Sequence, residues 1–310
     1  MPKNRHSNIV SFDDFYRAFY FDRWDSLKAA LINDKRYVAI LNPFANSDIL
    51  QSFIETNKLQ THPIFKDCVF LDSAIDIPTC EITQLKLFYP LDLASLYPAH
   101  LLINLSKKLH PESTIGDLCS APGGKALYYL FHTQSSPTCS FHFFANEFSN
   151  ARRTRLKNNF THYLPPFLNQ ALKVTPFDAK NWCTKEKEIF DLILLDAPCS
   201  SERHYLQNLK MMEEWAPSRS KRLSQEQFSL LCSALILLKP GGHLIYSTCS
   251  ISPLENDMII EKLVAKRSNE IEIVGIDILD SSMERSKWGA TILPDSSQFG
   301  PIYFSHIIKR

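Results

Sequence analysis

The chain has 310 residues, 45% of them hydrophobic and 22% charged, and a formal net charge of +1. That length holds one large domain or a medium domain with an extension, and the composition is ordinary for a soluble globular fold. No apolar run reaches the ~18 residues of a membrane-spanning helix, so no membrane partner is expected, and the near-zero charge excludes a global basic field, leaving phosphate contacts to local patches.

The first stretch, Met1 to Asp13, is polar and has no signal-peptide apolar region. Eight cysteines without a Cys-x-x-Cys pair point to reduced thiols and to no metal site. The expected location is therefore the cytoplasm, with the mitochondrial matrix as the alternative, and the chain is expected to act as a monomer. Residues 1–100 read as a mostly helical N-terminal extension with a few short strands, either facing a ligand or packing on the rest. Phe15, Phe19 and Leu27 have amphipathic-helix spacing, and Trp24 to Ile32 continues helical. Asn42-Pro43 and His62-Pro63 mark turns.

Residues 101–310 alternate strands and helices. Strands are expected at 114–118, 141–145, 172–175, 191–195 and 243–247, with final strands at 271–274 and 302–308. Helices are expected at 125–131, 149–160, 223–238 and 254–266, the third closed by Lys239-Pro240-Gly241-Gly242. This alternation predicts an α/β fold with a doubly wound, mainly parallel sheet, in which ligands bind beyond the carboxyl ends of the strands.

The chemistry-bearing residues fall at those strand ends. Ala121-Pro122-Gly123-Gly124-Lys125 joins a strand to a helix. Paired glycines let backbone approach a ligand, and the helix start offers free N–H groups. The turn is neither Gly-x-Gly-x-x-Gly nor Gly-x-x-x-x-Gly-Lys-Ser/Thr, which disfavours a dinucleotide and a nucleoside triphosphate. Glu147 follows the second strand, where an acid binds ribose hydroxyls; the plainer reading is a helix-capping acid near Ser149. Asp178 follows the third strand, where an acid accepts from an adenine amino group; the plainer reading is a turn residue. One acid after each of two successive strands suits S-adenosylmethionine better than a nicotinamide cofactor.

Two cysteines follow two further strands, in Asp196-Ala197-Pro198-Cys199 and in Tyr246-Ser247-Thr248-Cys249-Ser250. Pro198 stiffens its loop, so Asp196 and Cys199 hold fixed directions. A free thiol, with a pKa of about 8.5, needs a positive or hydrogen-bonding neighbourhood to act as thiolate. One cysteine at a strand end is more often a small buried hydrophobe, but two at neighbouring strand ends argue for a pair facing one pocket. A pyrimidine base needs such a thiolate if its ring carbon is to become nucleophilic. Basic patches at Arg152, Arg153, Arg155 and Lys157, at Lys107-Lys108, at Arg203-His204 and at Arg219 with Lys221-Arg222 are either phosphate contacts or solvated helix faces.

These motifs together resemble the Sun/Nop family of RNA cytosine-5 methyltransferases. The resemblance rests on the segment from Asp117 to Lys125, Asn146-Glu147, Asp196-Ala197-Pro198-Cys199, Lys239-Pro240-Gly241-Gly242 and Ser247-Thr248-Cys249-Ser250, and covers about Leu91 to Val264. Arg203-His204 after the Pro-Cys element, the segment Tyr37–Asn46 and the lack of a separate RNA-binding module are similar to the branch that holds the mitochondrial small-subunit ribosomal RNA enzyme and its tRNA-modifying relative. The resemblance implies S-adenosylmethionine as methyl donor. Ala121, Pro122, Gly123, Gly124 and Lys125 would line its amino-acid end, Glu147 its ribose and Asp178 with Ala179 its adenine. Arg152 matches a cofactor-pocket position, and the family often has Asp where Glu147 stands. Asp196 would lie between the methyl group and the cytosine edge. Cys249 would be the nucleophile and Cys199 the residue that serves product release, whereas DNA cytosine-5 methyltransferases use a Pro-Cys thiol as nucleophile. The implied partner is RNA, ribosomal in preference to transfer RNA. A methyltransferase for DNA or a small molecule, and an RNA-binding assembly factor with dispensable catalysis, stay open.

Overall fold

The computed structural model describes residues 10–33, 37–71, 76–133 and 142–310. The beginning of the polar N-terminal stretch, Cys139 and the expected strand start at Phe141 lie outside the described residues.

Ser11 caps α1 (Phe12–Tyr20) by accepting from the Asp14 N–H. Phe21–Arg23 turns the chain into α2 (Trp24–Ile32). Phe12 and Tyr16 are buried one helical turn apart, and they cluster with Trp24, Leu27, Leu31, Ile251 and Leu293. Most aromatics of this region therefore pack, as their spacing allows. Arg23 fixes the pair of helices to the C-terminal part through Glu284 at 2.6 Å and Asp295 at 2.7 Å. Next come β1 (Tyr37–Leu41), α3 (Ser47–Thr56), β2 (Cys68–Leu71) and β3 (Phe88–Leu91). The three strands form an antiparallel sheet in the order β2-β1-β3. Helix α4 (Leu96–Ser106) runs across residue 100 and carries the chain into the larger sheet.

That sheet is built from β4 (Thr114–Asp117), α5 (Gly124–Thr133), β5 (His142–Asn146), α6 (Asn150–Tyr163), β6 (Leu172–Thr175) and β7 (Phe190–Asp196). After β7 come α7 (Glu202–Leu206), α8 (Leu209–Glu213), α9 (Pro217–Leu237), β8 (Leu238–Thr248) and α10 (Asp257–Arg267). The chain closes with β9 (Ile271–Val274), β10 (Met283–Arg285), β11 (Ala290–Ile292), α11 (Pro294–Ser297) and β12 (Ile302–Lys309). Strand order is β10-β11-β12-β8-β7-β4-β5-β6, with β9 also on β12. The run from β6 to β8 is parallel, and β12 with its neighbours adds an antiparallel edge. Order reverses between β4 and β7, which places a ligand crevice at their carboxyl ends. Alternate residues of β7 serve opposite cores. Leu192 and Leu194 face the side covered by α4 and α5, and Ile193 and Leu195 the side of α9 and α10.

The main departures from the expected elements concern α9, β8 and the β10–β11 pair. Helix α9 starts at Pro217 rather than at residue 223, because its first turns are polar and show no apolar period, while Pro217 suits a first helical position. Strand β8 starts at Leu238, which pairs with Phe190 before a register shift, and Gly241 turns within it at φ +76°. The β10 and β11 strands were not expected, since three residues are too few to show alternation.

Candidate active site

Asn146 ties the strand ends together. Its amide donates to the Leu118 and Phe177 carbonyls, both at 2.9 Å, and its Oδ1 accepts from Thr175 Oγ1 and Phe177 N, both at 2.9 Å. The next residue, Glu147, is thereby aimed into a cleft of about 230 Å³. Asn146, Glu147, Phe148, Arg152, Asp178, Ala179 and Pro198 are among the residues that line this cleft. Glu147 Oε1 accepts from Ser149 N at 2.8 Å. Its Oε2 is buried and accepts no hydrogen bond, with Arg152 Nε 3.4 Å away as an ion-pair partner. Asp178 accepts from Lys180 N and Asn181 Nδ2 at 3.1 and 2.8 Å. The turn reading of Asp178 and the binding reading thus meet in one residue at the cleft wall.

The glycine turn borders the cleft rather than lining it. Arg152 Nη2 joins the two by donating to the Ala121 carbonyl at 2.7 Å. Gly123 has φ +109°, and a Cβ there would come 2.8 Å from Leu156 Cδ1; at Gly124 it would come 2.7 Å from Leu91 Cδ1. The positive φ requires glycine at 123, while at 124 the Leu91 side chain would have to shift to admit a Cβ. Lys125, in the first turn of α5, points away from solvent and bonds Asp196 Oδ2 at 2.7 Å, while Ser247 Oγ bonds Asp196 Oδ1 at 2.7 Å. Burial alone lowers the Lys125 ammonium, but Asp196 overrides it and holds the group above its ordinary value. Beneath them Asp117 is pushed up to about 7, by burial first and by the charge of Asp196 second.

The two cysteines meet. Cys199 Sγ and Cys249 Sγ lie 3.1 Å apart, though fifty residues separate them in the chain, and both thiols are free. Ser201 Oγ lies 3.3 Å from Cys249 Sγ and 3.6 Å from Cys199 Sγ. Cys249 is exposed and Cys199 half-buried. The hydrogen bond from Cys199, then that from Ser201, with Lys125 adding its positive charge, pulls the Cys249 thiol below its ordinary range against burial and Asp196. The same hydrogen bond, with burial, pushes Cys199 up. The two shifts favour the proton on Cys199 and the negative charge on Cys249. The Cys249 thiol thus stands at the mouth near the Asp196 carboxylate and the Lys125 ammonium.

Some expected sites are not binding surfaces. Arg203 is buried and donates to the Asn33 and Gly300 carbonyls at 2.8 and 3.0 Å, so it braces loops and does not face RNA. Arg153 is spent on the Glu147 and Phe148 carbonyls at 2.9 and 3.0 Å. Arg155, Lys157, Lys107 and Lys108 stay exposed. Among the described residues no group of three metal-ligating side chains occurs, and no helix is long and apolar enough to cross a membrane. The roles of Lys125 and Ser247 as partners of Asp196 were not read from the sequence, although both residues stand inside quoted motifs. The contacts of Glu202 and Glu255 also went unread.

Comparison with known proteins gives one family. The description "16S rRNA methyltransferase RsmB/F" matches residues 104–308. The "5-cytosine rRNA methyltransferase NSUN4" of Bos taurus is 27% identical over 97% of this chain and 88% of that protein. The "tRNA (cytosine(34)-C(5))-methyltransferase, mitochondrial" of Danio rerio is 31% identical over 96% of this chain and 86% of that protein. The crystal structure of NSun6 from Pyrococcus horikoshii superposes with a TM-score of 0.74 over 96% of this chain and 97% of that one, at 16% identity, which supports the fold. The cytoplasmic location expected from the sequence is overturned here. The zebrafish relative, and a mouse relative spanning 97% of this chain, carry "mitochondrial" in their names, whereas the expectation rested only on the absence of a visible presequence.

Proposed function

The chain belongs to the RsmB/F family of Sun/Nop RNA methyltransferases, and from that premise we propose that Cys249 is the nucleophile and Cys199 the release residue of an RNA cytosine-5 methyltransferase. The enzyme depends on S-adenosylmethionine and acts on ribosomal or transfer RNA. The single observation that carries the residue assignment is the approach of the two sulfurs to 3.1 Å beside Asp196.

The residues fit the methyl donor. Glu147 Oε2, which accepts no hydrogen bond, is a buried acceptor suited to a ribose hydroxyl. Asp178 and Ala179 take the adenine side, Arg152 with the turn from Ala121 to Lys125 the amino-acid side, and Asp196 borders the transferring group. S-adenosylmethionine, when bound, supplies the methyl group that carbon 5 of cytosine takes up. Cys249 Sγ adds to carbon 6 of the base and makes carbon 5 nucleophilic. Asp196, held by Lys125 and Ser247, orients the ring nitrogen and exocyclic amine as charge develops there. Cys199 serves the loss of the carbon-5 proton as a relay that passes it on to solvent, and the Cys249–carbon 6 bond then breaks with its electron pair returning to the sulfur. The base must be out of any stack to reach the thiols, so a loop or single strand is the natural target.

The preference for small-subunit ribosomal RNA yields to the transfer RNA alternative. What supports it is the higher identity, over nearly the whole chain, with the relative named for cytosine 34 of tRNA, against 27% for the bovine ribosomal RNA enzyme. A mitochondrial location accords with the same relative. The test is tritiated-methyl incorporation into unmodified mitochondrial tRNA, small-subunit ribosomal RNA and DNA of the same sequence. Incorporation at carbon 5 of cytosine in RNA alone is expected, and transfer to DNA alone would reject the reading. Binding of donor and RNA without transfer would favour an assembly factor. Glu147→Gln is expected to weaken S-adenosylmethionine binding by about tenfold to a hundredfold in titration calorimetry, since it removes the charged acceptor for ribose.

A further inference from the structure

Glu202 stands at the start of α7, 1% exposed. Its Oε1 accepts from Tyr16 Oη at 2.6 Å, from Ser250 Oγ at 3.0 Å and from Ser200 Oγ. Its Oε2 accepts from the Ile251 N–H at 3.1 Å. Ser200 follows Cys199 directly, and Ser250 and Ile251 follow Cys249, while Tyr16 comes from α1. Tyr20, one turn further along α1, donates to the Ile251 carbonyl at 2.6 Å. One buried carboxylate thus joins both cysteine loops to each other and to the N-terminal helix.

A second carboxylate braces the same loop from the opposite side. Glu255 Oε2 accepts from Ser200 N and Gln227 Nε2, both at 2.9 Å, and Gln227 Nε2 also donates to the Pro198 carbonyl at 2.9 Å. Ser200 Oγ lies 2.5 Å from Glu255 Oε1 while also bonding Glu202. A hydroxyl has one proton, so Ser200 Oγ donates to one of the two carboxylates at a time. Burial, and then the charge of Glu202, push the Glu255 carboxyl up. Buried charge is a costly way to fix loops that apolar contacts would hold. Its contacts at Ser200, Ser250 and Ile251 fall within two residues of the thiols, which points to geometry rather than to bulk stability.

We propose that Glu202 is a positioning residue for methyl transfer: it locks the loops after Cys199 and Cys249 together against α1 and so sets the approach of the two sulfurs. The proposal rests on the reading of those cysteines as the catalytic pair. It makes the N-terminal helix part of the catalytic assembly rather than a cover.

The test compares the whole chain with its Glu202→Gln, Tyr16→Phe and doubly substituted forms. The readouts are kcat on RNA, affinity for S-adenosylmethionine, and the pH profile of Cys249 alkylation by iodoacetamide, followed on the Cys249 peptide by mass spectrometry. Glu202→Gln is expected to lower kcat about tenfold to a hundredfold, to leave donor affinity within about twofold, and to move the alkylation midpoint to higher pH. Tyr16→Phe, which removes only a hydroxyl should the first variant fail to fold, is expected to cost about threefold to tenfold in kcat and to shift alkylation in the same direction. The double variant is expected to match Glu202→Gln alone, because both changes break one chain of bonds. Unchanged alkylation profiles, with kcat per donor-binding molecule equal to wild type, would overturn the proposal. Alkylation needs no RNA, so a shifted profile in a chain whose wild type methylates nothing would uphold the loop coupling and sink the functional reading instead.

Discussion

Cys249→Ser is expected to lower methyl transfer by at least about 10⁴-fold while leaving donor binding and folding close to wild type. The sulfur sits at the exposed mouth of the site, so replacing it by oxygen removes little packing. The chemistry changes much more. The environment that draws the Cys249 thiol down consists of hydrogen bonds from Cys199 and Ser201 and the nearby Lys125 charge. It has no comparable effect on an alcohol, whose ionisation lies far above that of a thiol. Single-turnover incorporation with saturating donor and RNA measures the loss, and calorimetric donor titration shows that the cleft survives. Residual transfer within about tenfold of wild type would mean that Cys249 is not the nucleophile.

Asp196→Asn is the second large effect, expected to lower kcat by about 10²- to 10³-fold. Both carboxylate oxygens are used, one by the Lys125 ammonium and one by the Ser247 hydroxyl, each at 2.7 Å. An amide turns one of these acceptors into a donor, so either Lys125 loses its bond or the Ser247 hydroxyl must turn from donor to acceptor. If Lys125 loses it, an ammonium that is only 12% exposed is left without its counter-charge. The free carboxylate lone pairs that face the base are also lost. Because Asp196 itself is 31% exposed, the stability cost should stay near about 1–2 kcal/mol, measurable by urea unfolding. A kcat loss confined to the unfolded fraction would show that Asp196 acts on stability alone.

Much of this site was legible because its residues sit in short local signals. Strands β4, β5, β6 and β7 end in the Gly turn, Glu147, Asp178 and Asp196, and an apolar run followed by an acid or a glycine is visible without tertiary information. The meeting of Cys199 and Cys249 followed from the same logic, since β7 and β8 pair in parallel from Asp196 to Ser247. Contacts made across the fold stayed hidden. Tyr16 reaches Glu202 across 186 residues, and no periodicity in α1 distinguishes a tyrosine that packs from one that also donates to a carboxylate. Arg203 read as a phosphate contact or a solvated helix face because a cation beside a histidine looks like a surface patch, and only its carbonyl partners from two distant segments show it to be internal. The β10–β11 pair was missed because its order comes from pairing with β12, not from its own residues.

The most direct measurement is a denaturing-gel assay for a protein–RNA adduct in wild type, Cys199→Ala and the Cys199→Ala/Cys249→Ala double variant, each with S-adenosylmethionine and the RNA that accepts methyl groups. A band that accumulates in Cys199→Ala and vanishes in the double variant is the expected result, because release is then blocked while Cys249 still bonds carbon 6. A band that needs Cys199 and persists without Cys249 would reverse the two roles and contradict the mechanism.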